Sequence, residues 1–150
     1  MKASILLFAA LLLAPAAALP ADSQPVVRTD PVLEQATKTI AAKDWPQAQA
    51  LLKDAIARNP NNADYHNLYA YSVRKGANPD MSLVFQHYNE ALRLDPRHRG
   101  AHEYIGETYL LVGDVAGAER HLKALREICL LGCEEMKDLE QAIVKYRATR

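Results

Sequence analysis

Apolar residues recur every three or four positions through most of the chain from residue 30 onward, which is the spacing of one face of an α-helix. Polar and glycine-containing stretches divide this pattern into seven segments, and none of them alternates as a β-strand would. We therefore predict an all-α domain over residues 30–150. The predicted helices start at Pro31 and Trp45 and then cover residues 63–75, 80–94, 100–112, 114–128 and 134–147.

Single residues between these segments predict how the helices begin and end. Asp30 and Asp44 each stand before a helix that has proline in its first turn, which is typical of a capping side chain. Gly76 is predicted to end the third helix in the left-handed conformation. Gly113 is predicted to lie at the turn between the fifth and sixth helices. These signals support the same helix boundaries as the apolar pattern.

A six-residue sequence motif at the end of the second helix is repeated at the end of the fourth. Residues 55–60 read AIARNP and residues 91–96 read ALRLDP, so Pro60 and Pro96 are 36 positions apart. That period, with a helix on either side of a turn, is typical of stacked helix-pair repeats. One pair cannot bury its apolar face alone, so the pairs stack and leave a curved surface for a partner. The repeat therefore predicts a binding module.

Small residues inside the helix pairs indicate a family. A small side chain is needed where two helices of a pair cross closely, because a larger one would hold the backbones apart. Residues 30–128 combine such positions with the two prolines and resemble the tetratricopeptide repeat family. The resemblance implies a right-handed solenoid of about three helix pairs, closed by a C-terminal capping helix over residues 134–147. The small positions are Ala36, Ala70 and Gly106 in the first helices and Ala48, Val84 and Ala118 in the second helices.

The chain departs from the family pattern in three places. The second repeat is two residues longer, with the insertion around Ala77. Valine rather than a smaller residue stands at position 84. The bulky residue that the family places early in each first helix is replaced by Val32, His66 and His102, and the two histidines are expected to pack as half-buried rings.

The resemblance also implies where a ligand lies, because the first helix of each pair lines the concave face in that family. It implies an extended or helical peptide segment of a partner protein as the ligand. The alternative is that Arg74 and Lys75 pair with Glu103 and Glu107 as a solvated network between repeats. The implied binding residues are Asp64, Asn67, Tyr71, Arg74 and Lys75 of repeat two and Glu103, Glu107, Leu110 and Leu111 of repeat three, with Leu33, Thr37 and Ile40 of repeat one.

Cys129 and Cys133 are the only cysteines, and they stand four residues apart at the start of the predicted capping helix. In an exported protein they are expected to form a structural disulfide, since such a spacing across a distorted turn is within reach. A copper(I) site that adds Met136 or His121 to the two thiolates is the alternative. A redox role is less favoured, because the Cys-x-x-Cys spacing is absent. We predict no metal and no cofactor.

The first residues predict export. Lys2, the apolar run 5–13 and the small residues 16–18 form a secretory signal peptide over residues 1–21, cleaved after Ala18 or Ala21. A short extended leader over residues 22–29 follows. We expect a periplasmic location, with an extracellular one as the alternative, and no membrane insertion after cleavage. Loss of Lys2 changes the formal charge from 0 to −1, which gives no electrostatic reason to bind nucleic acid.

No set of residues in the chain indicates catalysis. Arg97 and Arg99 flank His98 and oppose a cation site there, while His87 and His121 are expected to be isolated and exposed. We predict a non-enzymatic, exported adaptor or scaffold that binds a protein or peptide through its concave face, in an envelope assembly. Two alternatives are a copper-handling protein that uses its cysteines and a self-associating scaffold, in which stacking through an uncovered end replaces ligand binding.

Overall fold

The computed structural model describes residues 29–149, which contain α-helices and no β-strand. The all-α prediction is confirmed, and the predicted helix boundaries agree within one or two residues. The predicted signal peptide and most of the predicted leader lie outside the described residues. No helix in the described range is long and apolar enough to cross a membrane. The helices are α1 Pro31–Ala41, α2 Trp45–Arg58, α3 Ala63–Lys75, α4 Met81–Leu94, α5 Arg99–Leu111, α6 Val115–Ile128 and α7 Glu134–Ala148.

Polar side chains cap six of these helices at their N-termini. Asp30 Oδ1 accepts a hydrogen bond from the backbone N–H of Val32 at 2.8 Å, and Asp44 Oδ1 accepts one from Gln47 at 3.2 Å. Each cap satisfies a backbone donor that the helix itself leaves unpaired. The helix α7 is different, because Cys133 precedes it and makes no capping hydrogen bond. The start of α7 therefore needs another form of support.

The turns inside the helix pairs differ between repeats. Lys43 and Gly113, with φ of 58° and 84°, are the left-handed residues of the tight turns in the first and third pairs. The prediction that Gly76 plays this role in the second pair is wrong, since its φ is −67° and its ψ is 171°. The reason is the two-residue insertion. Residues 76–80 form a longer connection there, so the chain reverses without a left-handed residue.

The helices pack in sequence order around three apolar clusters. The pairs α3–α4 and α5–α6 have the most extensive contacts, and α2 packs against α3. The last helix, α7, packs against both α5 and α6, where a further helix pair would otherwise stack. Its side chains Leu139 and Ile143 are buried in the third cluster with Leu122 and Leu125. The helix α7 therefore caps the solenoid as predicted.

Gly106 and Gly117 mark two close helix approaches in the C-terminal half. A Cβ on Gly106 would lie 2.6 Å from Leu139 Cδ2 of α7, whereas one on Gly117 would lie 2.5 Å from the Tyr109 ring of α5. The side chain nearest to Gly106 thus belongs to α7 and not to the second helix of its own pair. Gly106 of α5 leaves room for α7, the next helix along the solenoid. Gly117 and Ala118 of α6 leave room for the Tyr109 ring.

Two kinds of contact join the ends of the connections between helix pairs: a hydrogen bond from a histidine, and a disulfide. His66 Nε2 lies 2.9 Å from the carbonyl oxygen of Pro60, and His102 Nε2 lies 3.1 Å from that of Pro96. Because a carbonyl oxygen only accepts, each Nε2 carries the proton and donates it. The third connection, before α7, has neither histidine nor proline. It is closed by a disulfide between Cys129 and Cys133, whose Cα atoms are 5.7 Å apart.

A second histidine supports each of these closing histidines. His87 Nδ1 lies 2.8 Å from His66 Nδ1, and His121 Nδ1 lies 2.9 Å from His102 Nδ1. The prediction that His87 and His121 are isolated and exposed is therefore wrong, as both are half-buried. His121 lies three residues after Ala118 and four before Leu125, at the border of the buried stripe of α6. The sequence analysis followed the apolar residues of this stripe and did not recognise the border position of His121.

Reduction of the disulfide is expected to lower the free energy of unfolding by about 2 kcal/mol, the chain-entropy value for so short a loop. The loosening should concentrate at the start of α7, where no side-chain cap replaces the bond. Chemical denaturation with and without reductant, together with hydrogen exchange, measures both effects. The double variant Cys129→Ser/Cys133→Ser is the control, because reductant should no longer change its midpoint. An equal midpoint for oxidised and reduced wild-type protein would contradict a stabilising role.

Candidate functional site

An open groove of about 760 Å³ lies between the C-terminal turns of α3, α5 and α7. Its apolar floor comes from α5 and α7, and its rim is cationic on two sides. Leu111 is 66% exposed there, although it is a large apolar residue. The groove is lined by Arg74, Lys75, Glu107, Leu110, Leu111, Ala142, Lys145, Tyr146 and Thr149.

Arg74 and Glu107 form an ion pair across the groove wall. Arg74 Nη2 donates to Glu107 Oε2 at 2.8 Å, and the Arg74 side chain is only 5% exposed. The alternative of a network between repeats is thus right for this pair, but the pair is largely buried rather than solvated. Since each charge neutralises the other, neither is available as a free ligand-binding charge. Their first role is to join α3 to α5.

Aromatic rings hold the cationic end of α3. The Tyr71 ring lies 4.7 Å from that of Tyr104, centroid to centroid, and 6.2 Å from the Trp45 ring. Arg74 and Lys75 both lie over the Tyr71 ring, at 5.4 Å and 5.7 Å from its centroid. Lys75 therefore contacts an aromatic face rather than a carboxylate. Its exposed ammonium group remains at the groove rim.

Glu103 does not present a negative charge to a ligand. It is 8% exposed, and burial raises the pKa of its carboxyl to about 8, with further increases from Glu107, Asp138 and Glu135. At neutral pH Glu103 is mostly protonated. The predicted acidic part of the groove is therefore much weaker than the sequence indicates.

Asn67 and Asp64 also lie away from the groove. Asn67 is 5% exposed, and its Oδ1 has no hydrogen-bond partner among residues 29–149. Asp64 lies at the N-terminal end of α3, where its Oδ1 is 3.0 Å from His98 Nε2. The hydrogen bond from His98 holds the pKa of Asp64 below its usual value. Of the predicted binding residues, the structure thus brings together Arg74, Lys75, Glu107, Leu110 and Leu111, and places the others elsewhere.

The first helix contributes a separate surface. Leu33 and Thr37 line a shallow depression of about 540 Å³ with Thr29, Asp30 and Lys38. Ile40 does not line it. The predicted surface is therefore not one continuous site, and the groove of about 760 Å³ lies at the end nearest the capping helix.

Sequence reasoning missed the wall that α7 supplies. Ala142, Lys145, Tyr146 and Thr149 line the groove, although α7 was expected only to cover an exposed apolar end. The apolar pattern of α7 already includes Ala142 and Tyr146 at helical spacing. What the pattern does not show is that α7 packs beside α5 and therefore faces the groove as α3 does.

The cysteines and histidines are engaged with each other rather than gathered around an ion. Cys129 and Cys133 are bonded together, and His121 contacts His102 instead of the cysteine pair. In residues 29–149 no group of three or more histidine, cysteine, aspartate or glutamate side chains is placed to hold a metal ion. The copper alternative would require both thiols to be reduced and, if His121 rather than Met136 were the additional ligand, His121 to leave His102.

Stacked helix pairs, a capping helix and a groove along the first helices define a helical-repeat solenoid domain. Solved structures of similar fold include the TPR2B domain of yeast Sti1 in a pHsp70 complex, with a TM-score of 0.68 and 21% identity over 79% of this chain and 98% of that one. The Yersinia enterocolitica type III secretion translocator chaperone SycD has a TM-score of 0.65 and 14% identity, over 79% and 87% of the two chains. These likenesses establish the fold.

Sequence comparison finds proteins that contain repeats of the same kind. TTL4, a TPR repeat-containing thioredoxin of Arabidopsis thaliana, is 29% identical over 99 residues, and the inactive TPR repeat-containing thioredoxin TTL3 of the same plant is 30% identical over 98. Each match covers 65% of this chain but only 13% of the relative. No protein-family profile matches the chain. Both relatives contain tetratricopeptide repeats, and the described helices have the fold of a tetratricopeptide-repeat domain, as the small residues and prolines of the helix pairs predict.

Proposed function

We propose that this chain is a non-catalytic adaptor that binds a segment of a partner protein in the groove between α3, α5 and α7. The observation that carries the proposal is the groove itself, with about 760 Å³ of open space over Leu110, Leu111 and Ala142. A large apolar side chain as exposed as Leu111 is typical of an interaction site when others adjoin it. Two structures of similar fold, those of Sti1 with pHsp70 and of CopN with Scc3, are complexes, which supports the proposal.

The groove favours a partner segment that combines apolar and acidic groups. Lys75 and Lys145 are exposed at its rim, whereas the nearby carboxylates are neutralised. Glu107 pairs with Arg74, and Glu103 is mostly protonated at neutral pH. An apolar side chain over Leu110 and Leu111 with a carboxylate beside Lys75 or Lys145 therefore fits this surface best.

We further propose that the protein works outside the cytoplasm, as a scaffold in an envelope assembly. The support is the signal-like pattern of residues 1–21 and the cysteine pair, which forms a disulfide in the structure. Disulfides persist in oxidising compartments such as the periplasm, and an extracellular location is the alternative. A mass measurement of the exported protein tests this part, because cleavage predicts a new N-terminus after Ala18 or Ala21.

The groove is tested by capturing partners from extracts of the cells that make the protein, with wild type and a Leu111→Glu/Lys75→Glu variant as baits. Both residues are exposed, so the variant should keep wild-type thermal stability while binding of a captured partner falls by at least about tenfold. Arg74 is left intact, since its removal would leave Glu107 without its buried partner.

Lys123→Glu, an exposed charge reversal on α6 outside the groove, is the matched control and should bind like wild type. Equal binding by the groove variant and the control would place the partner on another surface and end the proposal for this groove.

A further inference from the structure

The turn between α6 and α7 carries two leucines that contact almost nothing. Leu130 is 87% exposed and Leu131 is fully exposed, more than any other large apolar residue in the described part of the chain. The corresponding positions of the other inter-pair turns hold Pro60-Asn61 and Pro96-Arg97. Turn tips favour proline, glycine and polar residues, so this tip departs from a rule that the same chain follows elsewhere.

The tip is held in one conformation. The disulfide between Cys129 and Cys133 closes its base, and the Gly132 N–H donates to the Cys129 carbonyl oxygen at 2.8 Å. Gly132 has a φ of 85°, which a glycine adopts without strain. A tip that is already ordered loses little conformational entropy when it docks.

The charges beside the tip are acidic. Glu127 in the last turn of α6 and Glu134 in the first turn of α7 are exposed and take part in no ion pair among the described residues. The nearby cations Arg126 and Arg99 are engaged with Glu140 and Glu135, while Lys137 lies one turn further along α7. No aromatic residue stands at the tip. This setting opposes an anionic lipid surface and favours a protein surface that is apolar at its centre and basic at its rim.

The groove described above has that composition. Its floor is Leu110, Leu111 and Ala142, and its exposed rim cations are Lys75 and Lys145. The tip of the same molecule does not reach it, because Lys145 lies about 17 Å along α7 from Glu134, at the opposite end of the helix. The complementary surface is therefore available only on another molecule.

We propose that this chain associates head to tail, with the Leu130-Leu131 tip of one molecule in the α3–α5–α7 groove of a second copy. The proposal rests on the proposed function, as it names an occupant for the same groove. Tip and groove lie at different ends of α7, so each associated pair keeps one free tip and one free groove, and the contact propagates. The contact is small, so the association is weak and depends on protein concentration.

Sedimentation equilibrium of the oxidised protein over a range of concentrations tests the inference. The weight-average mass of wild type should rise with concentration beyond that of a monomer. Leu130→Ser/Leu131→Ser and Leu111→Glu should each weaken association by at least about tenfold, the first by removing buried apolar area and the second by placing a carboxylate near Glu127 and Glu134. Val144→Ser, an exposed apolar residue outside tip and groove, is the control and should behave like wild type.

Mixing the two variants gives the decisive result. The tip variant keeps an intact groove and the groove variant an intact tip, so a one-to-one mixture should form dimers and nothing larger. A wild type that stays monomeric at all concentrations, or a tip variant that associates as wild type does, overturns the inference. A lipid result also overturns the inference. If wild type binds phosphatidylglycerol vesicles and the tip variant does not, the tip is a lipid contact. Capture of a different partner in the groove of a strictly monomeric protein would leave the proposed function standing without this inference.

Discussion

Replacing Leu139 by alanine is expected to lower the free energy of unfolding by about 2–5 kcal/mol, the usual cost of a leucine-to-alanine change in a packed core. Leu139 is fully buried in the last apolar cluster, where it joins α7 to Leu110, Leu122 and Leu125. Its loss removes apolar contacts and leaves a cavity at the seam that holds the capping helix. Chemical denaturation measures the change, and Val144→Ala on the exposed side of α7 should leave the midpoint almost unaltered.

A double-mutant cycle with Gly106 sharpens this prediction. In wild type, Gly106→Ala places a methyl group where Leu139 Cδ2 would be 2.6 Å away, so it should destabilise despite the better helix propensity of alanine. In the Leu139→Ala background that clash is gone, and the same change should be neutral or stabilising. Additive effects of the two substitutions would mean that these residues are not in contact.

The helices of this protein could be predicted because their signals are local. Asp30, Asp44 and the Pro60 and Pro96 repeats act within a few residues of the helix ends that they specify. The apolar spacing identified the buried helix faces, and the family resemblance predicted which helices pair and how the pairs stack. Gly76 shows the limit of such signals, because a longer connection removed the need for the left-handed residue that a glycine after a helix usually indicates.

The groove could be predicted only in part, since it depends on how distant helices meet. Arg74 and Glu107 were correctly assigned to facing helices, but their burial follows from the packing of α3 against α5. The sequence pattern indicates a surface charge at Glu103, whereas in the fold burial, Glu107 and the α7 carboxylates Asp138 and Glu135 raise its pKa. Lys145 was missed because nothing in the sequence places α7 beside α5.

The paired histidines are a second feature that only the fold reveals. His66 and His102 are 36 residues apart, and each donates through Nε2 to a proline carbonyl. Each Nδ1 must then accept from the second histidine, so His87 and His121 donate through Nδ1. One proton lies between the two rings of each pair. A fully protonated pair would place two N–H groups against each other at less than 3 Å.

The protein is therefore expected to lose stability as the pH falls from about 6.5 toward 4. Burial lowers the pKa of His87, of His102 and, to about 4, of His121, and the partner histidine lowers it further in His87 and His121. At His87 the charge of Glu90 partly opposes this decrease. At His102 the hydrogen bond to the Pro96 carbonyl opposes it, as does Asp95, while Arg120 lowers the pKa of His121 further. Since the unfolded chain takes up protons near pH 6.5 and the folded chain does not, acid favours unfolding.

Glu103 acts in the opposite direction and must be removed to measure the histidines. Its pKa is raised in the folded protein, so the folded state keeps a proton that the unfolded state loses between about pH 4.5 and 8, and stability falls as the pH rises through that window. A Glu103→Gln background eliminates this contribution. In that background the free energy of unfolding should be lower at pH 5 than at pH 7.5, and the lowering of the His121 pKa from 6.5 to about 4 corresponds to about 1–3 kcal/mol.

The histidine origin of this pH dependence is tested with His121→Leu in the same Glu103→Gln background. Leucine cannot take up a proton, so the difference in unfolding free energy between pH 7.5 and pH 5 should shrink, even if the variant is less stable at both. His121 is the informative position because burial, His102 and Arg120 lower its pKa to about 4. Urea denaturation at a series of pH values gives the slope directly. An unchanged slope would mean that the acid sensitivity does not arise from the paired histidines. Asp30 and Asp64, whose pKa values are lowered from 3.8 by their hydrogen bonds, reduce stability only at still lower pH.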